Sequence, residues 1–270
     1  MPSRLRNLAK KAALSLVYRS TPLPQKIHGN VVWVHPRARF SISARTFFKG
    51  EPHVRNWLTD QLRPGSVFFD IGAHHGWMSM WALPLVGKDG AVHSFEPSPA
   101  NLAILEWHRN INRFADWTIV PKAVSWEDTA AARLFLIDSG DSPMNSLTAG
   151  VPGTPLMKGR DITTIPIQTV TLDTYCAETR TRPDLVKIDV EGAEGLVLQG
   201  ARKLLSESHP TLILAVHPYW LPRGQSPAQI RELLAAQGYA VFDSKGQPVR
   251  SLASGEYLCL NRQAAYASGP

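Results

Sequence analysis

VFFDIGAHHG, residues 67–76, decides the fold. Val67 to Phe69 form an apolar run, Asp70 breaks it, and Gly72 and Gly76 bracket a turn before the next apolar segment. A short apolar run that ends in an acid and a glycine turn reads as a buried strand feeding a helix. Two further stretches repeat the design: AVHSFEPSP (91–99) ends in Glu96-Pro97, and LVKIDVEGAE (185–194) ends in Asp189-Val190-Glu191-Gly192. Strands of a parallel sheet are buried on both faces, so an acid at the carboxyl end marks a cleft rather than a core. Ligands of open α/β sheets sit beyond those ends, where strand order reverses. Three acid-bearing ends therefore predict one acidic, glycine-lined pocket, suited to a hydroxyl-rich, positively charged ligand.

Working outward, the same alternation continues. Strand 67–71 leads to a helix at 76–86, strand 91–95 to a helix at 99–111, and strand 117–121 follows. Further strands are predicted at 132–137, 165–170 and 184–189, then a helix at 192–205. Strand 211–216, a helix at 226–237 and strands at 239–243 and 256–260 complete the chain. Short connections between alternating strands and helices imply a mostly parallel sheet covered on both faces. Residues 138–162, rich in Gly, Pro and Ser, read as a long loop of the kind that forms lids or substrate walls. Upstream, Thr21–Gln25 reads as a linker, and NVVWVHPRARFSISAR (30–45) as two strands in a hairpin about His35-Pro36. A helix is expected from His53 to Leu62. The division is a basic extension over 1–45 and a main domain over 46–270.

Charge sharpens that division. The chain of 270 residues has a formal net charge of +7. Ten Lys and Arg precede Glu51, the first acid, which leaves 19 basic against 22 acidic residues in the remainder. The body is mildly acidic and the high pI belongs to the N-terminal arm, which argues against a uniformly basic nucleic-acid-binding surface. On a helical wheel Leu5, Leu8, Ala9, Ala12 and Leu16 share one side, with Arg4, Arg6, Lys10 and Lys11 away from its centre. Such a helix over residues 1–20 can lie on an anionic membrane, pack on the body, or act as a transit peptide. The apolar run 12–18 is too short to span a bilayer. Cys176 and Cys259 match no metal-ligand spacing and no disulfide framework, so a reducing, cytoplasmic setting is expected.

The chemistry of the strand ends narrows the ligand. The dinucleotide fingerprint places a glycine where this chain has His74, and Asp70 sets a negative charge at the helix entry. Both disfavour a phosphate. Asp70 could hold an ammonium or sulfonium, or cap its turn. Glu96, 26 residues after Asp70, reads as the acceptor for ribose hydroxyls, with Ser98 already available to cap the helix that Pro99 begins. Ala123 leaves the third strand where an adenine edge would rest. Lys187, Asp189 and Glu191 share one side of their strand by alternation, either as a base and orienting groups or as a self-satisfied network.

In order, DIGAHHG, SFEPSP with Asn110-Ile111-Asn112, TLDTYC (171–176) and LVKIDVEGAE resemble the motifs of FkbM-type S-adenosylmethionine-dependent methyltransferases, over about Phe48 to His217. The resemblance implies a class I methyltransferase fold, with a Rossmann-like seven-stranded sheet whose last strand is antiparallel. It implies that Asp70, Gly72, Ala73, His74 and Gly76 line the methionine side of the cofactor and that Glu96-Pro97 takes the ribose. Ala123 would lie by the adenine and Asp189 beside the methyl donor. Glu51 and Asn145-Ser146 stand where the family carries a Gly–Glu and a Ser-rich step. In one departure, Ala215 replaces an acid usually found two residues before His217. The paired His74-His75 is a second.

The expected activity is transfer of a methyl group from S-adenosylmethionine to a hydroxyl of a sugar, glycolipid or secondary metabolite, leaving S-adenosylhomocysteine. The protein chiefly aligns oxygen, carbon and sulfur, and a base assists a poor nucleophile. His217 is the first candidate base, Asp189 the second, with Lys187 and Glu191 beside them. Asp189, Glu191 and Glu194 are oxygen donors, but the loss of an acid at Ala215 argues against a bound divalent metal. The flat side chains of Trp77, Trp81, Tyr219 and Trp220 could wall a sugar. A non-catalytic cofactor-binding module and an NAD-dependent oxidoreductase remain as alternatives.

Overall fold

The β-α rhythm folds as read. A computed structural model describes residues 21–138, 140, 142–148, 159, 161–222 and 224–261, so the arm at 1–20 and its proposed helix lie outside the described residues. The main sheet contains β3 (Val67–Ile71), β4 (Ala91–Phe95), β5 (Trp117–Val120), β9 (Leu185–Ile188), β10 (Thr211–Val216), β11 (Tyr239–Phe242) and β12 (Gly255–Asn261). Its order is β11-β12-β10-β9-β3-β4-β5. The five strands from β10 to β5 run parallel, while β12 lies antiparallel between β10 and β11. Strand order reverses between β3 and β9, which puts the ends at Asp70 and Asp189 on either side of the switch point. This is the class I methyltransferase sheet.

Alternation along β3 divides the core. Phe68 faces one side with Trp77, Met80, Leu83 and Leu105, on α4 (Trp77–Val86) and α5 (Pro99–Asn112). Phe69 faces the other with Tyr175, Val197 and Leu204. Those come from α6 (Leu172–Thr179), α7 (Glu194–Gln199) and α8 (Arg202–Glu207), and α9 (Pro227–Ala236) completes the layer. Phe68 and Phe69 are both fully buried, as strands covered on both faces require. A separate sheet consists of β6 (Ala123–Val124), β7 (Thr129–Ile137) and β8 (Ile162–Val170), in the order β6-β8-β7.

Two expectations are corrected. The hairpin lies one segment earlier than read: β1 (Leu23–Ile27) pairs antiparallel with β2 (Asn30–Val34), so Thr21–Gln25 is largely strand rather than linker. His28 and Gly29 both have positive φ, the conformation a two-residue hairpin turn demands. His35-Pro36 instead opens a helix, α1 (Pro36–Arg39): Pro36 is pre-set for the first position and His35 Nδ1 accepts from the Arg37 N–H at 3.2 Å. Helix α2 (Ile42–Arg45), a π-helical turn (Thr46–Gly50) and α3 (Pro52–Gln61) follow. The helix read at 192–205 is two, broken at Gly200, where a Cβ would stand 2.0 Å from the Ser125 carbonyl oxygen. The residues from β1 to α2 are built into the body: Ile27, Val34 and Ala38 share a core with Leu58 and Leu105, and the Trp33 N–H donates to Asn112 Oδ1 at 2.7 Å.

Candidate active site

Gly72 makes the site possible. Its φ of +81° turns the chain, and a Cβ there would sit 2.0 Å from the Asp189 carbonyl oxygen, so only glycine lets the β3 end meet the β9 end. The Asp189 N–H in turn donates to the Ile71 carbonyl at 3.1 Å. Two chambers open at this junction and share Gly72, His74, Pro143 and Asp189.

The first chamber is mostly apolar, with Phe95, Pro97, Ala123, Val124 and Leu134 around Glu96, and Asp189 on the shared wall. Glu96 Oε2 accepts the His74 N–H and Oε1 the Ser98 N–H, each at 2.8 Å. Burial is the main influence on Glu96 and pushes its pKa up to about 7, against those hydrogen bonds. Asn145 and Ser146 close the chamber from the β7 tip. Asn145 accepts from the Ile137 N–H and donates to the Gly140 carbonyl, while the Ser146 hydroxyl donates to the Glu191 carbonyl at 2.6 Å. A flat, mostly apolar group bearing hydroxyls fits these walls.

The second chamber is acidic, lined by Glu51, Ala73, His74, Lys187, Asp189, Glu191, His217 and Glu256. Lys187 Nζ donates to Asp189 Oδ2 at 2.8 Å. Burial opposes the Lys187 charge, but Asp189 and Asp70 outweigh it and hold the ammonium on. Burial also works to raise Asp189, yet Lys187 and His217 hold its carboxyl below the usual range. His217 Nδ1 lies 2.7 Å from Glu194 Oε1, and its Nε2 lies 3.7 Å from Asp189 Oδ1 and 3.8 Å from Glu191 Oε2. Burial pulls His217 down, but Glu194, Asp189 and Glu191 together lift its pKa to about 10. Glu191 is raised to about 7 by burial despite His217, and Glu51 to about 7 by burial and by Glu256 and Asp189.

Not every candidate lands on a wall. Asp70 is fully buried beneath the floor: Ser79 Oγ donates to its Oδ2 at 2.5 Å, and Ser94 and Trp117 Nε1 extend the network. Gly76 lines neither chamber. A Cβ there would stand 2.7 Å from Leu105 and 2.8 Å from Trp117, so Gly76 seats α4 on its neighbours. Of the four flat side chains only Trp77 lines a chamber; Trp81 donates to Thr59, Trp220 is buried and Tyr219 is exposed. The carboxylates around His217 favour its protonated form.

Some residues were not read from the sequence as site residues. Glu256 lies directly across the β10–β12 ladder from Ala215, so an acid returns to that edge from the neighbouring strand, within reach of His53 Nε2 at 3.2 Å. Thr148 ties the β7 tip to the Trp220 carbonyl at 2.7 Å. Glu194, read from the sequence as an oxygen donor beside Asp189 and Glu191, instead orients His217, a pairing that no feature of their spacing announces. Ala215 had argued against a bound ion, but Asp189, Glu191 and His217 each bring one donor atom within 4.8 Å of the others.

Comparison with known proteins adds the family. The methyltransferase FkbM domain matches residues 70–241. No curated protein matches. Among solved structures, the chain is similar to the methyltransferase FkbM of Methylobacillus flagellatus KT, at 17% identity and TM-score 0.45, covering 76% of this chain and 50% of that one. It spans half the length of that protein. It is also similar to a SAM-dependent methyltransferase of Agrobacterium tumefaciens (12% identity, TM-score 0.46, 90% and 70% covered). A third is Aeropyrum pernix fibrillarin with natively bound S-adenosyl-L-methionine (11%, TM-score 0.44, 88% and 82%).

Proposed function

The chain belongs to the FkbM-domain methyltransferases, and we propose that it uses S-adenosylmethionine as methyl donor to methylate a hydroxyl oxygen of a sugar, glycolipid or secondary metabolite. The observation that carries the proposal is the shared wall. Asp189, Gly72 and His74 belong at once to an apolar chamber with one ribose-type acceptor and to an acidic chamber open to a second molecule. When bound, the donor supplies an electrophilic methyl on a sulfonium, so the protein has to align rather than activate it.

The residues divide that task. Glu96 takes the two ribose hydroxyls with the lone pairs that the His74 and Ser98 N–H groups leave free. Ala123 and Leu134 face the flat base, and Asn145 and Ser146 hold the β7 tip against it. Asp189, Glu191 and Glu51 supply the negative potential that a sulfonium and an ammonium need in a partly buried site. Lys187 anchors Asp189 through Oδ2, and Asp189 Oδ1 lies 3.7 Å from His217 Nε2. The acceptor hydroxyl approaches from the acidic chamber, where Asp189, Glu191 and His217 are the groups placed to take its proton, while Lys187 keeps its charge beside Asp189.

The proposed acceptor is a small molecule, a glycan or a glycolipid. Among the described residues no helix is long and apolar enough to cross a membrane. The test is methyl-labelled S-adenosylmethionine with fractionated hydroxyl compounds, read by mass spectrometry. Label on an oxygen of a hydroxylated product supports the reading; label on nitrogen, carbon or nothing refutes it.

A further inference from the structure

We infer that the Asp189–Glu191–His217 cluster is a divalent-cation site, and that its ion takes a hard, oxygen-rich ligand set completed by one imidazole. Its proposed use, as the Lewis acid that lowers the acceptor hydroxyl's pKa, rests on the O-methylation reading above.

Geometry carries the site. Nε2 of His217 stands 3.7 Å from Asp189 Oδ1 and 3.8 Å from Glu191 Oε2. Both separations are too long for hydrogen bonds. They suit donors that share a central ion, because two ligands held about 2.0–2.2 Å from a metal stand roughly 3–4 Å apart. All three donor atoms lie within 4.8 Å of one another, so the set closes by contraction around an ion.

The surroundings prepare each donor. Glu194 is fully buried, accepts the Gly192 N–H at 3.0 Å, and lies 2.7 Å from His217 Nδ1. A carboxylate that receives one ring N–H fixes the imidazole so that the other nitrogen presents a lone pair, the arrangement metal-bound histidines use. Lys187 occupies Asp189 Oδ2 and leaves Oδ1 turned toward His217. Glu191 has a φ of +50°, and the Ser146 hydroxyl pins its carbonyl at 2.6 Å. Two carboxylate oxygens with one imidazole suit Mn2+ better than Mg2+ or a thiophilic ion. Asp189 also belongs to the cofactor chamber, so the ion would sit on the border between the two chambers.

The experiment is titration of the metal-free full chain with Mn2+, followed by loss of the free-ion electron paramagnetic resonance signal. One ion per chain is expected, with affinity lost in Glu191→Gln and His217→Gln. Glu194→Gln, which disturbs only the orientation of His217, should weaken binding roughly 10- to 100-fold. Each variant is also titrated with S-adenosylhomocysteine, which reports on folding and on the cofactor chamber separately. Failure of the wild type to bind Mn2+ saturably at millimolar concentration overturns the site. So does unchanged Mn2+ affinity in the Glu191→Gln and His217→Gln variants that still bind S-adenosylhomocysteine. Tight Mn2+ binding without hydroxyl methylation would leave the site standing and sink the acceptor chemistry instead.

Discussion

Replacing Gly72 with alanine probes the joint on which both chambers depend. Two costs can be separated. The first is conformational: Gly72 has φ +81°, and a side chain in the left-handed region costs about 1–2 kcal/mol. The second is steric: the new Cβ would lie 2.0 Å from the Asp189 carbonyl oxygen, 3.0 Å from its carbon and 3.3 Å from Val190 Cγ1. Both nearer atoms are backbone, so no rotamer change relieves them, and the β3 and β9 ends must part. Overpacking of this kind costs a further 1–3 kcal/mol or so. Gly246 is the control, because its φ is +73° and nothing lies within 4 Å of its added Cβ. Gly246→Ala should lose only the conformational part. Urea unfolding should place Gly72→Ala about 1–3 kcal/mol below Gly246→Ala, with S-adenosylhomocysteine affinity reduced in the first variant alone. Equal midpoints for the two variants would refute the claim that Gly72 is fixed by close approach to Asp189.

Two further outcomes follow from buried titratable groups. Glu96→Gln should weaken S-adenosylhomocysteine binding by about 1.5–3 kcal/mol, since charge-assisted bonds to the ribose become neutral ones. Calorimetry at several pH values checks this: wild-type affinity should rise as pH increases through about 7, where Glu96 ionises, and the glutamine variant should lack that rise. His108 concerns stability. It is fully buried, its Nε2 accepts the His35 N–H at 2.9 Å, and its Nδ1 lies 3.1 Å from the His75 carbonyl, which fixes a neutral imidazole. Burial lowers its pKa to about 3, so between an unfolded value of about 6.5 and that folded value the unfolded chain binds more protons. Stability is therefore fully present above pH 6.5 and lost as pH falls toward 3, by roughly 3–5 kcal/mol for this group. His108→Gln, which keeps a donor and an acceptor but does not titrate, should flatten the acid limb of the unfolding midpoint; an unchanged limb would contradict it.

The legible parts of the sequence are those with local causes. Val67 to Asp70, Val92 to Glu96 and Leu185 to Asp189 announce buried strands with polar ends, because a parallel strand has no other place for an acid. Alternation in residues 30–45 resembles strand pairing, whereas the hairpin turn is set by two positive-φ residues, His28 and Gly29. Periodicity over 192–205 does not show the break at Gly200, because that break answers to Ser125, 75 positions away in the chain.

The sequence alone determined the sheet class, the three acidic strand ends and the methyl-donor family, since each is written in periodicity and in short contiguous motifs. Tertiary structure decided what those acids touch. It put Asp70 under the floor, placed Glu256 opposite Ala215, and turned His217 onto Glu194 with its second nitrogen facing Asp189 and Glu191. Strand pairing and turn geometry bring residues separated by tens of positions within a few ångströms. A charge depends on those neighbours, not on its own place in the chain.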